Sequence, residues 1–275
     1  MDESLVKPLS SQNLLTASLR ILPSFLIVGL QKSGSTSLVQ YLNQHQQIVP
    51  ALRKDIYFFN NPTRFNKGEK FYRAFFPLRS KQKLIEFKRR KKTFTFDGTP
   101  NYFDVPGAAT HIKKMLPNAK IIIMFRDPIA RAYSNYTMAV KFGFETLPFY
   151  DALQLEDERI AWFEKSKFYK GHNIVYQRLA YKKRGEYSNF LPEWRQTFGN
   201  NLHIDFTENL NKNPSDTYAK ILRFLHLEEQ KVDFVQYNKG AYREKIDDKT
   251  KEFLQNHYKN YNLELAKQLN CSLPW

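Results

Sequence analysis

Residues 25–38 read Phe-Leu-Ile-Val-Gly-Leu-Gln-Lys-Ser-Gly-Ser-Thr-Ser-Leu, an apolar strand that runs into a small-residue loop and at once into a helix. This order constrains the fold more than any other stretch of the chain. Backbone N–H groups of such a loop, together with the positive end of the following helix dipole, make a cradle for a phosphate-like anion. A nucleoside-triphosphate loop spaces its residues G-x-x-x-x-G-K-[ST]. Gly29 and Gly34 keep that spacing, but Ser35 stands where the lysine belongs, and the lysine lies inside the loop at Lys32. The pattern therefore predicts an anion site without ATP hydrolysis.

A second segment, residues 120–136, reads Lys-Ile-Ile-Ile-Met-Phe-Arg-Asp-Pro-Ile-Ala-Arg-Ala-Tyr-Ser-Asn-Tyr. The unbroken apolar run Ile121–Phe125 is that of a strand buried on both faces of a parallel sheet. Asp127 suits a helix N-cap and Pro128 the first helical position. Arg126 then sits at the carboxyl end of a strand, where open α/β sheets bind ligands. Ser134 follows Arg131 by three residues on the same helical face. An arginine and a hydroxyl beside a loop lysine suit a ligand with phosphates at both ends of a nucleoside.

With these two segments the chain resembles the sulfotransferases that use 3'-phosphoadenosine-5'-phosphosulfate (PAPS), nearest to their heparan-sulfate-type branch and its bacterial relatives. The resemblance spans residues 24–275. Its G-x-x-K-[SG]-G-[ST] loop matches Gly29, Lys32, Ser33, Gly34 and Ser35, with Thr36 following, and implies that these residues hold the 5'-phosphosulfate. Its R-D-P-x-x-R-A-x-S-x-Y segment implies that Arg126 and Ser134 hold the 3'-phosphate. Lys54-Asp-Ile-Tyr-Phe-Phe59 resembles the family's acidic residue before x-x-F-F, which makes Asp55 the expected general base and Lys32 the cation that meets charge on the leaving phosphate. Asp97-Gly-Thr-Pro-Asn-Tyr102 resembles the T-P-x-Y block, and Tyr242 lies in a late loop expected to line the PAPS pocket. Two departures stand out. Asp55 is one methylene shorter than the family's glutamate. Gly98 replaces the lysine that precedes T-P-x-Y in the heparan-sulfate enzymes, which speaks against a glycosaminoglycan acceptor.

The 275 residues suit one α/β domain, residues 24–275, behind a polar leader, residues 1–23. The expected fold class is α/β, a P-loop-like three-layer sandwich with a central parallel sheet flanked by helices. Strands are expected at Phe25–Leu30, Thr93–Asp97, Ile121–Phe125 and Leu202–Phe206, with helices at Thr36–Gln44, Pro106–Leu116, Pro214–Leu225 (after an Asn213 cap) and Lys249–Leu269. The net charge of +16 suits a polyanionic donor and also serves solubility. A single cysteine, Cys271, excludes an intrachain disulfide and a Cys-type zinc cluster. Leu14–Leu30 is interrupted by Arg20 and Pro23 and is too broken to span a bilayer. The expectation is a cytoplasmic enzyme that needs no metal, with no specific nucleic-acid partner.

Alternatives accompany each assignment. His45 and His111 are rival bases outside the matching blocks. The basic run Lys88–Lys92 reads as a solvated helix end, whereas for Arg184 and Gly185 within Lys182–Tyr187 the resemblance to bacterial members of the family implies a place near the acceptor side. The aromatic groups Tyr57–Phe59 and Phe71–Phe76 read chiefly as core. Thr99 and Pro100 are expected to shape a pocket wall, and Tyr102 to pack or to touch substrate. Two other functions compete with sulfuryl transfer to a carbohydrate or small-metabolite acceptor. One is a P-loop phosphotransferase that uses Asp97 as its magnesium ligand. The other is a non-enzymatic basic module that binds polyanions.

Overall fold

The computed structural model describes residues 9–165, 174–235 and 245–275. Among these, four strands form one all-parallel sheet: β1 Phe25–Ile27, β2 Phe96–Asp97, β3 Lys120–Phe125 and β4 Leu202–Phe206, in the order β2-β1-β3-β4. The side-chain period of two sorts the strand residues into layers. Leu26, Val28, Ile121, Ile123 and Phe125 face an aromatic-rich layer that holds Phe58, Phe59, Tyr72 and Trp194. Phe25, Ile27, Ile122 and Met124 face the opposite layer, with Leu38, Leu42, Ile221, Leu222 and Leu225. The result is the expected three-layer sandwich, and β3 is buried on both sides as its unbroken apolar run requires.

Strand ends differ from expectation for identifiable reasons. β1 stops at Ile27 because the chain beyond it begins to serve the loops. The Val28 N–H still donates to the Ile122 carbonyl (3.0 Å), while the Val28 carbonyl accepts from the Phe103 N–H (3.1 Å). β2 is short because Phe94 is paired elsewhere, in a parallel bridge with Ile48. The helix expected from Pro106 begins at Ala108, after Gly107 turns left-handed. Helix Pro128–Lys141 starts as expected, with the Asp127 carboxylate accepting from the Ile129 N–H (3.0 Å). Helix Pro214–Leu225 matches its expected bounds, although Asn213 makes no side-chain capping bond. Residues 9–22 pack onto the domain through Leu9, Ile21 and Leu22, and the buried Arg20 donates to the Phe76 carbonyl (2.7 Å).

The order β2-β1-β3-β4 reverses direction at β1. The chain goes from β1 to β2 on one side and returns to β3 on the other. Ligands of open parallel sheets lie outside the carboxyl ends of strands at such a switch point, which here is the gap between the loop after β1 and the loop after β3.

One expectation is overturned. Arg184 does not face an acceptor. It is fully buried in a 3₁₀ turn, Lys183–Gly185, with Nε donating to Asp104 Oδ2 (2.5 Å) and Nη2 to Asn101 Oδ1 (2.9 Å). The turn is held by Glu156, which accepts the N–H groups of Lys182 (2.6 Å) and Lys183 (2.7 Å), and burial pushes the Glu156 carboxyl up to about 7. Gly185 is there because Tyr258 crosses it. A Cβ at this position would lie 2.5 Å from the Tyr258 hydroxyl, which donates to the Lys182 carbonyl (2.9 Å). The segment is an internal joint, and its small and charged residues serve packing. Gly185→Ala should therefore destabilise the fold by about 1–3 kcal/mol. The check is urea unfolding, and a midpoint equal to the wild type would mean that Tyr258 is free to step aside.

Candidate active site at the carboxyl ends of β1 and β3

The loop after β1 is shaped for an anion. Lys32 is a non-glycine residue in the left-handed region (φ 75°), and Gly34 is left-handed too (φ 74°) as the N-cap of helix Ser35–Asn43. A side chain at Gly34 would press on Thr207, 3.1 Å from its hydroxyl. No side chain caps this helix, so its first N–H groups remain available to a ligand. The Ser33 hydroxyl is buried and has no hydrogen-bond partner within the protein. An orphaned buried hydroxyl beside uncapped helix amides is the polar lining that a phosphate or sulfate oxygen satisfies. The residues present thus fit the 5' end of the expected donor.

The second anion element touches the first. Arg126 Nη1 donates to the Lys32 carbonyl (2.9 Å), so the arginine at the end of β3 spans the switch point to the β1 loop. Ser134 lies buried on helix Pro128–Lys141. Met138, one turn further on the same face, meets Gln31 of the loop, with Nε2 to Sδ 3.8 Å. Arg131, which shares a face with Ser134, is buried completely and donates through Nη2 to the Tyr181 carbonyl. Lys32, Ser33, Gly34, Ser35, Thr36 and Arg126 therefore form one neighbourhood, and the Ser134 helix closes one side of it. Tyr242 lies outside the described residues.

Asp55 comes from a separate segment, a sharp turn in which Asp55 (φ 59°) and Tyr57 (φ 53°) are both left-handed. Its side chain is partly exposed. The burial it has pushes the carboxyl above the usual carboxylate range, against the opposite pull of Lys54 and Arg53. Lys54 ties this turn to the helix that follows the β1 loop, because its Nζ donates to Thr36 Oγ1 (2.7 Å). The reading of the sequence missed that role. Gly98 is small because Val39 packs against it, an added Cβ lying 2.9 Å from Val39 Cγ2, while Lys54 Cγ is 3.8 Å away. Lys54 passes beside Gly98 at ordinary contact distance and delivers an ammonium group to the first turn of the helix. A cation is present at this end of the site, supplied from residue 54.

The rival groups are occupied elsewhere. His45 uses both ring nitrogens, Nε2 against the Glu228 carbonyl (2.9 Å) and Nδ1 accepting from the Gln47 N–H (3.1 Å), and burial lowers its pKa. His111 stacks on Phe65 with ring centroids 4.4 Å apart. Asp97 is fully buried at the end of β2, where it accepts from the hydroxyls of Thr99 (2.6 Å), Tyr72 (2.9 Å) and Tyr102 (3.0 Å). It has no face left for a magnesium ion, which removes the one candidate metal ligand of the phosphotransferase reading. At Lys88–Lys92, Lys88, Arg89 and Arg90 are exposed and Lys91 pairs with Glu228, as a solvated helix end should.

A profile of the sulfotransferase domain matches residues 22–270. The chain belongs to the sulfotransferase domain family. It is 27% identical over 274 residues to the mouse bifunctional heparan sulfate N-deacetylase/N-sulfotransferase 4, an alignment covering 90% of this chain and 30% of that protein. The Drosophila melanogaster counterpart is 25% identical, covering 90% and 26%. The chain thus spans about a third or less of the length of these curated relatives. A sulfotransferase from Alicyclobacillus acidocaldarius superposes with a TM-score of 0.70 at 24% identity, covering 92% of this chain and 98% of that one. A mouse sulfotransferase, SULT7A1, complexed with PAP superposes with a TM-score of 0.51 at 16% identity, covering 95% and 93%. These two superpositions show the shared sulfotransferase fold.

The buried acid of this sulfotransferase domain has a measurable consequence. Burial pushes Asp97 up to about 6, while its three hydroxyl hydrogen bonds pull the other way. In the unfolded chain the group titrates near 3.9. Between those values the folded state holds the extra proton, so the contribution of Asp97 to stability is complete below about pH 4 and is lost as pH rises through about 6. Urea unfolding at pH 4 and pH 6.5 should show a larger loss of stability for the wild type than for Asp97→Asn, because the Glu156 contribution to the pH dependence is common to both. Equal pH dependence in the two proteins would contradict the raised value.

Proposed function

We propose that this domain transfers the sulfuryl group of PAPS to a hydroxyl or amine of a carbohydrate or other small hydroxylated metabolite and releases PAP. The observation that carries the reading is the Arg126–Lys32 contact, which joins two anion-binding elements, with Lys54 linking the Asp55 turn to the helix that follows the β1 loop. Lys32, Ser33, Ser35, Thr36 and the N-terminus of helix Ser35–Asn43 would hold the 5'-phosphosulfate, and Arg126 and Ser134 the 3'-phosphate. In the transfer the acceptor oxygen or nitrogen bonds to sulfur as the bond from sulfur to the 5'-phosphate oxygen breaks. Asp55 takes the acceptor proton. Lys32 and Lys54 meet the charge that grows on the bridging oxygen and on the sulfuryl group. The names of the curated relatives support a carbohydrate acceptor. Arg53 beside Asp55 and Arg64, which donates to the Ile56 carbonyl, make the surroundings of the base cationic and favour an acceptor that carries an acidic group. Among the described residues no three His, Cys, Asp or Glu side chains gather to hold a metal ion, and the proposal includes none.

Donor binding is tested first. PAP should raise the melting temperature by mass action, and AMP, which lacks the 3'-phosphate, should raise it far less. Arg126→Ala should erase the difference between the two, and EDTA should leave the PAP shift unchanged. Equal shifts from AMP and PAP in the wild type would remove Arg126 and Ser134 from the 3'-phosphate site.

The base is tested by turnover. Asp55→Asn should keep PAP binding and slow sulfuryl transfer by a factor of roughly 100 or more, and Asp55→Glu should keep partial activity. A base works deprotonated, so activity should fall as pH drops through the raised Asp55 value, with the acid limb of kcat/KM above the ordinary aspartate range of about 4. Near-wild-type turnover of Asp55→Asn would remove it from the mechanism. Lost PAP binding with a lower melting temperature would make it a structural residue.

A further inference from the structure

We propose that Asp97 is a positioning residue which, acting through Thr99 and Tyr102, locks the 55–58 turn in its left-handed shape and so aims the Asp55 carboxylate. The aiming part rests on Asp55 being the base. The locking part stands on geometry alone.

Left-handed backbone costs a non-glycine residue about 1 kcal/mol or more, and it persists only where the surroundings over-determine it. Asp55 and Tyr57 carry that cost two residues apart. The turn is clamped on its backbone. Its carbonyls accept from arginines, Asp55 from Arg53 Nη2 (2.9 Å) and Ile56 from Arg64 Nη1. Its amides donate to two hydroxyls, Ile56 N–H to Thr99 Oγ1 (2.8 Å) and Phe58 N–H to the Tyr102 hydroxyl (3.0 Å).

The two hydroxyls converge on one group. Thr99 Oγ1 donates to Asp97 Oδ1 (2.6 Å) and the Tyr102 hydroxyl to Asp97 Oδ2 (3.0 Å), with Tyr72 adding a third bond at Oδ2 (2.9 Å). An ionised carboxylate only accepts, so every hydroxyl proton at this centre must point at Asp97. That leaves the oxygen lone pairs of Thr99 and Tyr102 facing the turn, where the amides need acceptors. A hydroxyl that donates to a carboxylate is also a stronger acceptor. One buried acid thus sets the direction of two relays that grip alternate amides of the strained turn. Asp97 is wholly buried at the end of β2 and touches no ligand surface itself. β2 is in parallel register with β1, Leu26 opposite Asp97, so the anchor belongs to the same sheet that carries the donor loop.

The test reads the turn directly and then its effect on turnover. Amide hydrogen exchange at Ile56 and Phe58 is compared in wild type, Thr99→Val, Thr99→Ser, Tyr102→Phe and Asp97→Asn. Thr99→Val should deprotect Ile56 at least 10-fold, Tyr102→Phe should do so for Phe58, and Asp97→Asn should do so for both. Thr99→Ser, which keeps the hydroxyl, should restore protection. Both amides remaining as protected in Asp97→Asn as in wild type overturns the anchor. Should Asp97→Asn fail to fold, unchanged exchange in Thr99→Val and Tyr102→Phe overturns it equally. PAP release is then measured from PAPS with N-desulfated heparin as the acceptor probe. Thr99→Val should lower kcat about 10-fold with the KM for PAPS within twofold, and should add no further loss to Asp55→Asn. Losses that multiply in the double variant overturn the aiming role. If Asp55→Asn alone turns over like the wild type, the base assignment and the aiming role fail together, and the exchange data still decide the anchor.

Discussion

The parallel pairing of β1 with β3 is the constraint on which the site depends. It sets Phe25 opposite Lys120 and Ile27 opposite Ile122, so the chain beyond β1 continues beside the last residues of β3, with Gly29 against the Met124 backbone, and the two loops leave the sheet as neighbours. Because β1 is also the strand at which the order reverses, the helices that follow go to different places and leave a gap between the loops. Arg126 bridges that gap to the Lys32 carbonyl. Two segments almost a hundred residues apart in the chain are brought together by one backbone register.

Around that register the polar groups are arranged by burial. Asp97, Glu156 and Arg184 are charged residue types placed inside the domain, and each is met by hydrogen bonds that fix a bend in the chain. Asp97 holds the hydroxyls of Thr99, Tyr72 and Tyr102, Glu156 holds the 3₁₀ turn, and Arg184 joins that turn to Asp104 and Asn101. Lys32, Arg126 and Asp55 lie toward the surface in loops whose geometry those buried groups and the sheet determine.

The layers of the fold and the shape of the loop after β1 were legible in the sequence because they rest on local patterns. The apolar period of Ile121–Phe125, the Asp127–Pro128 start and the Gly29–Gly34 spacing act within a few residues of themselves. The role of Lys54 was not legible. It depends on a tertiary contact with Thr36, eighteen positions earlier in the chain, and nothing near Lys54 announces it. Arg184 misled in a similar way, since a likeness to bacterial family members suggested the acceptor side, while its burial against Asp104 and beside Tyr258 is a tertiary fact. Thr99 was expected to shape a pocket wall and Tyr102 to pack or to touch substrate, but which of their polar atoms face the backbone of another segment is a tertiary fact.

The 55–58 turn is gripped by its backbone, from the core side. Its amides and carbonyls are committed to Thr99, Tyr102, Arg53 and Arg64. The outward-facing side chains near it have few such duties. Leu52, three residues before the turn, is half exposed. Residues of this kind can be exchanged without releasing the turn. The architecture therefore separates what must stay constant from what can drift. Over evolutionary time, descendants of this chain can change what they recognise on the outer side while the inner scaffold, and the chemistry it supports, is inherited unaltered.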